Sequence, residues 1–238
     1  VDAHLRRRLL IAYRLDAQVA RDLIPAPLRP LLVDGRAVAG ICVLGMDGIR
    51  PLGIRGRWGL RSENATHRID VEWDEGGETR AGVFIFERYS SAAHAVLFGG
   101  RLFPGVHRWA RFTIAEDRDR FAVSMSGPGV SLSADVEVGD DTWDSALFAT
   151  PEDASEFYRA GCVGWSRQHD GVTLERVTLS STAWAAEGAR LHGLRSSFFD
   201  SLPAGAAEFD SVLVMRDIPL ELSAAPRPAA ASVGSLRE

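Results

Sequence analysis

The sequence predicts an antiparallel, β-rich α+β fold with a curved or closed, barrel-like sheet, and three observations predict it. Short apolar segments recur between clusters of Gly, Asp and Pro, as strands do. Only three or four short stretches carry helix signals, and nothing follows the strand–helix–strand rhythm of a parallel sheet. The chain has 238 residues, 46% hydrophobic and 25% charged, enough for one domain with a substantial core. That domain is expected over residues 1–223, followed by an Ala/Pro/Ser-rich tail over 224–238.

Residues 9–13 form the first apolar run, and Asp16 stands where an N-cap would open a helix that Pro25 must end. Further strands are expected over 37–44, 69–73, 82–86, 111–114 and 120–125. Residues 131–138 alternate polar and apolar side chains, so that strand has one wet face. Thr150-Pro151-Glu152-Asp153 supplies a capping hydroxyl, a first-turn proline and first-turn acids for a helix that Gly161 terminates. Asp170-Gly171 marks a tight hairpin turn between segments 162–168 and 172–179, and a late strand covers 212–215 ahead of Pro219.

Composition excludes several functions. The longest unbroken run of apolar or Gly residues, 37–46, is well short of the roughly 18 residues that cross a bilayer. The basic opening, with Arg6-Arg7-Arg8, has no small-residue cleavage site after it and does not read as a signal peptide, so a cytoplasmic location without membrane contact is expected. A net charge of −5 with arginines scattered among acids argues against a nucleic-acid surface, and the Arg6–Arg8 cluster reads as a solvated or salt-bridged strand entrance. Cys42 and Cys162 are too few for a disulfide framework or a zinc site and are expected to be reduced. All 27 basic residues are arginine; the chain has no lysine. Arginine clamps carboxylates but cannot become a neutral amine near pH 7, so any mechanism through a side-chain imine is excluded, as are pyridoxal and P-loop chemistry.

Tyr13-Arg14-Leu15-Asp16, followed by Leu23-Ile24-Pro25-Ala26-Pro27-Leu28, resembles the start of the acetoacetate decarboxylase superfamily. Further matches follow in order at Met46-Asp47, Ser62-Glu63-Asn64, Gly100-Arg101-Leu102, Ala183-Trp184 and Leu202-Pro203. Arg68 after Glu63-Asn64, Gly82-Val83-Phe84-Ile85-Phe86 and His107-Arg108-Trp109-Ala110 look closer to an uncharacterised bacterial branch than to the decarboxylase itself. The resemblance implies a β-barrel-like fold with a funnel to a central small-molecule pocket, and often a homo-oligomer. It implies that the family's imine-forming lysine would fall near Val106-His107-Arg108, where no amine exists. The family's pocket glutamate matches Glu63, and an arginine that holds it matches Arg6. A second family carboxylate has no counterpart within 37–44, and the polar pair before Trp184 reads Ser181-Thr182.

Beside arginines the Glu63 carboxylate would keep a low pKa and orient substrate; buried in a funnel it would rise toward general-base work. Outside the family match a surface ion pair is the usual reading. Arg68, Arg101 and Arg108 are candidate forks for a substrate carboxylate or enolate, and His107 for proton transfer; the structural alternative pairs the arginines with acids and satisfies backbone groups with His107. Trp58, Trp109, Trp165 and Trp184 would line a barrel or pack its core. The histidines are isolated from one another and from the cysteines, so no metal and no cofactor are expected, and no nucleophile elbow is present. The expected function is non-covalent acid–base chemistry on a small carboxylate or keto compound, with Glu63 and His107 catalytic and Arg6, Arg68, Arg101 and Arg108 binding. The rival is a non-catalytic small-molecule-binding barrel, and a third reading is an assembly protein with a vestigial funnel.

Overall fold

The structure, a computed structural model, describes residues 2–50, 59–98, 105–139, 143–181 and 183–224. Arg101, Trp58 and the tail beyond residue 224 therefore lie outside the described residues. In chain order the elements are β1 (Asp2–Leu15), α1 (Ala17–Leu23), β2 (Arg29–Pro30), β3 (Leu32–Val33), β4 (Arg36–Arg50), β5 (Leu60–Glu75), β6 (Glu78–Ser90), α2 (Ala93–Phe98) and β7 (His107–Trp109). They continue as β8 (Arg111–Glu116), β9 (Arg120–Gly127), β10 (Val130–Val138), α3 (Pro151–Ala160), β11 (Val163–Arg167), β12 (Leu174–Ser180), β13 (Glu187–Ser196) and β14 (Ala207–Ala224).

Seven strands hydrogen-bond into a ring in the order β1-β4-β5-β6-β11-β12-β14, and β14 pairs back onto β1. Every joint in the ring is antiparallel except β6–β11, where Gly164 aligns with Val83 in parallel. From β14 the sheet also continues through β13, β10, β9 and β8, which lie over the outside of the ring. Leu9, Ile11, Ile41, Val43 and Phe84 from the ring meet Phe121, Val123, Met125 and Leu132 from this outer layer in one buried core. A second core fills part of the ring's interior, where Ala154 and Tyr158 of α3, with Phe148, pack on Leu10, Ala12, Val38 and Leu213. Among the described residues no helix is long and apolar enough to cross a membrane.

Local chemistry explains the helix ends. Asp16 Oδ1 accepts from the backbone N–H of Gln18 and Val19 at 2.9 and 3.0 Å, as its N-cap position predicts. Thr150 and Asp153 form a reciprocal capping box ahead of α3. In β10 buried and exposed side chains alternate over most of the strand. The Asp170-Gly171 turn is longer than the tight hairpin expected: Gln168 N–H donates to Thr173 O at 2.8 Å, and Asp170 Oδ1 accepts from the N–H groups of Val172 and Thr173. The late strand is also longer, running through Pro219 to Ala224.

The largest difference concerns β5. The polar stretch from Arg61 to Arg68 around Glu63 looks loop-like in sequence, yet it is strand, because one face of this strand borders a cavity and carries Ser62, Asn64, Thr66 and Arg68. A β-bulge in β1 between Leu5 and Arg7 reverses the inward and outward faces there. Leu5, Leu10 and Ala12 thus pack inside the ring, while Arg6 and Arg7 both turn to Glu63 on the other face.

The parallel joint closes tightly. A Cβ on Gly82 would overlap the carbonyl oxygen of Val163 and press on the Trp73 ring. We expect Gly82→Ala to lower the free energy of unfolding by about 2 kcal/mol, measured by urea denaturation; a change within error would show that the β6–β11 joint bears no such constraint.

Candidate functional site

Inside the ring lies a cavity of about 460 Å³. All seven ring strands line it, because in each strand alternate side chains point inward. Its walls are largely aliphatic, with Leu44, Met46, Ile85, Val177, Leu179 and Leu220 among them. Against this background stand three arginines, Arg8, Arg68 and Arg88, together with His107, Tyr158 and both cysteines.

The three arginines differ in their partners. Arg68 is buried and gives Nη1 to both oxygens of Asp70, at 3.0 and 2.8 Å. Its guanidinium also stacks over the Tyr158 ring, 4.6 Å from the centroid, and its Nε and Nη2 have no hydrogen-bond partner. The Tyr158 hydroxyl is likewise buried without a partner, and burial pushes its pKa up, so it stays protonated as a donor. Arg88 donates from Nε and Nη2 to Ser166 Oγ, at 3.3 and 2.7 Å. Arg8 donates from Nε to Cys42 Sγ at 3.1 Å, and its guanidinium lies over the Trp184 ring. Among the described residues neither Arg8 nor Arg88 has a carboxylate within 4.0 Å. Burial pulls Arg88 down to about 10, with Glu175 the opposing charge.

His107 aligns directly with Arg88 across the parallel β6–β7 ladder. Its Nδ1 lies 3.0 Å from Gly105 O, and a carbonyl only accepts, so Nδ1 carries the proton and Nε2 keeps its lone pair. Burial, and then the charge on Arg88, pull His107 down to about 4, so the ring is neutral around pH 7. Gly105, at φ +85°, packs so closely on Arg88 that a Cβ there would collide with the guanidinium, and its N–H donates to Glu175 Oε1.

Glu63 and Arg6 do not share this cavity, contrary to expectation. Ser62 and Asn64 face it, so the period of two sends Glu63 to the opposite face. There Arg6 Nη2 reaches Glu63 Oε1 at 2.6 Å, Arg7 Nη2 binds Glu63 Oε2, and Arg7 Nη1 reaches Glu116 Oε2 of β8 at 2.6 Å. This cluster joins the ring to the outer layer. Burial pushes the Glu63 carboxyl up, against the pull of Arg7 and Arg6. Arg108 is exposed and contacts Glu87 Oε1 at 3.4 Å, outside the cavity lining. His107 and Arg68 do line the cavity; Arg8, Arg88 and Tyr158 do so without having been singled out from sequence. Trp184 lines it too, whereas Trp165 packs edge-on against Trp73 and Trp109 is exposed. Cys42 and Cys162 are free thiols, and burial pushes the Cys162 pKa up. Among the described residues no group of three or more His, Cys, Asp or Glu side chains converges as metal ligands would.

Residues 2–212 match the model of the DUF2071 family, described as an uncharacterized conserved protein. No curated protein matches the chain. Among solved structures, acetoacetate decarboxylase from Legionella pneumophila is 11% identical over 94% of this chain and 88% of its own, with a TM-score of 0.55. An acetoacetate decarboxylase-like enzyme from Sphingomonas wittichii is 16% identical over 94% and 91%, with a TM-score of 0.53. The enduracididine biosynthesis enzyme MppR, complexed with pyruvate, is 15% identical over 94% and 90%, with a TM-score of 0.54. These likenesses show an acetoacetate decarboxylase-like fold.

One titratable group bears on stability alone. His67 is fully buried in the core between the layers, among Phe86, Tyr89, Phe198 and Phe199, and neither ring nitrogen has a hydrogen-bond partner. Burial pulls it from 6.5 down to about 4. The unfolded chain therefore takes up this proton first, and the free energy of unfolding falls as pH drops from about 6.5 to about 4. Comparing urea unfolding near pH 7 and near pH 4.5, we expect His67→Leu to lose about 2 kcal/mol less than the parent. Equal losses in the two proteins would show that His67 contributes nothing to acid sensitivity.

Proposed function

We propose, for a chain that belongs to the DUF2071 family of uncharacterized conserved proteins and carries an acetoacetate decarboxylase-like fold, non-covalent acid–base chemistry on a small carboxylate or keto compound in the cavity. The observation that carries this reading is the pairing of Arg88 with His107: a guanidinium lacking a carboxylate beside an imidazole whose Nε2 lone pair is free of the backbone bond. A cation in an apolar cavity with no carboxylate in contact is costly even with Glu175 acting from a distance, and a ligand carboxylate relieves that cost while gaining charge-assisted hydrogen bonds.

The step this geometry supports is enolisation. His107 Nε2 takes the proton from the carbon next to a keto group, the C–H electron pair moves to form the enolate, and its oxygen takes the negative charge. The positive charge of Arg88, on the cavity wall beside His107, stabilises that oxygen. Return of the proton to the same carbon restores the keto compound; return to a different atom gives isomerisation. Without lysine no imine forms between protein and substrate. The MppR structure in complex with pyruvate supports a keto acid as the type of compound to test first.

Two observations favour the non-catalytic binding reading instead: burial leaves His107 a weak base, and among the described residues the only carboxylate hydrogen-bonded to a lining arginine is Asp70, which Arg68 holds. Hydrogen–deuterium exchange separates the two readings. Incubated with pyruvate or 2-oxopentanoate in deuterated buffer, the protein should exchange the protons next to the keto group, followed by proton NMR, and His107→Gln should abolish the enzyme-dependent part. Binding without exchange would select the binding barrel.

Binding itself is read by thermal shift, since a ligand of the native state stabilises it by mass action. 2-Oxopentanoate should raise the melting temperature of the parent protein, and Arg88→Gln should weaken its affinity at least about tenfold, the effect of one lost charge-assisted contact. No stabilisation by any small keto-acid or carboxylate would overturn the proposal. Borohydride added with the keto-acid should trap no protein adduct, and a labelled side chain would overturn the non-covalent mechanism.

A further inference from the structure

Resting on that reading, we infer that the cavity holds a second anion subsite at Arg8, so that the ligand is a dicarboxylate whose two charged groups are separated by a short apolar chain. Arg8 is the cavity's other arginine without a carboxylate partner among the described residues. Its orientation is fixed on two sides: Nε is held by Cys42 Sγ at 3.1 Å, and the guanidinium plane lies over Trp184, whose own Nε1 donates to Ser155 Oγ at 2.8 Å. Among the described residues nothing hydrogen-bonds the pair of terminal nitrogens, the fork that binds a carboxylate in bidentate fashion.

Register separates this fork from Arg88. Arg8 pairs with Leu44 on β4, Leu44 with Asn64 on β5, and Asn64 with Ser90 on β6, two residues beyond Arg88. Three inter-strand steps of nearly 5 Å part the two backbones. Curvature of the ring and the length of two arginine side chains shorten the gap between the charged ends. Arg68 stands between them on the same inward face, but Asp70 already balances its charge. Among the described residues the cavity thus carries two cations on separate walls with no carboxylate in contact, Glu175 acting on Arg88 and Asp70 on Arg8 only from beyond 4.0 Å, and Leu44, Met46 and Leu220 line it with apolar surface. One carboxylate answers one of these cations. A dianion with a methylene spacer answers both and covers the aliphatic wall between them.

The test compares keto-dicarboxylates with keto-monocarboxylates of the same carbon count by isothermal titration calorimetry: oxaloacetate against 2-oxobutanoate, 2-oxoglutarate against 2-oxopentanoate, and 2-oxoadipate against 2-oxohexanoate. At least one dicarboxylate should bind about tenfold or more tightly than its counterpart, and Arg8→Gln should bring the two to equal affinity. If monocarboxylates bind through Arg88 but no dicarboxylate exceeds its counterpart, the second subsite is overturned while the function proposed above stands. A dicarboxylate advantage that survives in Arg8→Gln also overturns it. If no compound of either series binds, both readings fall. Absence of a dicarboxylate advantage in the parent protein overturns the subsite whether or not Arg8→Gln folds.

Discussion

A ring of hydrogen-bonded strands has only two faces, and this constraint assigns every residue that the ring strands give to the site. Once β14 pairs back onto β1, each of the seven strands sends alternate side chains inward and the rest outward. The inward set makes the cavity and the packing around α3; the outward set makes the core shared with the second layer. A shift of one residue in any strand would exchange the two sets. Bulges are therefore the places where the assignment is edited. In β1 the bulge turns Arg6 and Arg7 outward together and leaves Arg8 inward. In β6 a bulge opposite His67/Arg68 lets both Ile85 and Arg88 face the cavity, although they are three residues apart.

Charge is distributed in keeping with these faces. Between the layers, Arg7 is buried but meets Glu63 and Glu116, so its desolvation is repaid by two carboxylates. Gly45, aligned with Glu63, leaves room for this arrangement: a Cβ there would stand 3.0 Å from Arg6 Nη2 and 3.1 Å from the Arg7 guanidinium. Within the ring the account is left open. Asp70 answers Arg68, but Arg8 and Arg88 are held by a thiol, an aromatic face and a hydroxyl, none of which carries a full negative charge. A structural arginine is finished by its partners; these two are oriented by theirs and left positive.

Local signals in the sequence were sufficient wherever a feature depends on a few neighbouring residues. The cap at Asp16, the capping box at Thr150 and Asp153, and the alternation in β10 were legible for that reason. The fold class followed from turn chemistry and segment length, and the family resemblance pointed to the scaffold that the comparisons show. The polar half of β5 was not legible, because a strand that faces a cavity lacks the apolar alternation by which strands are recognised. Nor were the site residues sorted correctly. Glu63 and Ser62 differ by one position, and only the register says which of them looks inward. Arg6, Arg7 and Arg8 read as one solvated or salt-bridged cluster; Arg6 and Arg7 are salt-bridged to Glu63, but nothing local announces the bulge that sends Arg8 to the other face. Arg88 carried no signal, as its place beside His107 depends on a parallel pairing between β6 and β7.

An arginine in such a cavity treats an anion differently from a lysine, and this chain has only arginine. A lysine in an apolar site sheds its proton readily and becomes a nucleophile. Arg88 in the same kind of surroundings falls only to about 10 and stays charged throughout the neutral range. Its positive field also acts on the adjacent imidazole, being the second cause, after burial, of the low pKa of His107. The two groups are thus coupled. On the proposed reading, an anion seated on Arg88 offsets part of that guanidinium's field, the smaller of the two causes that hold His107 down. On that reading the guanidinium that recruits the substrate stands beside the imidazole that acts on it, and burial more than charge keeps that imidazole neutral, so a lysine-free site sets a fixed cation next to a neutral base.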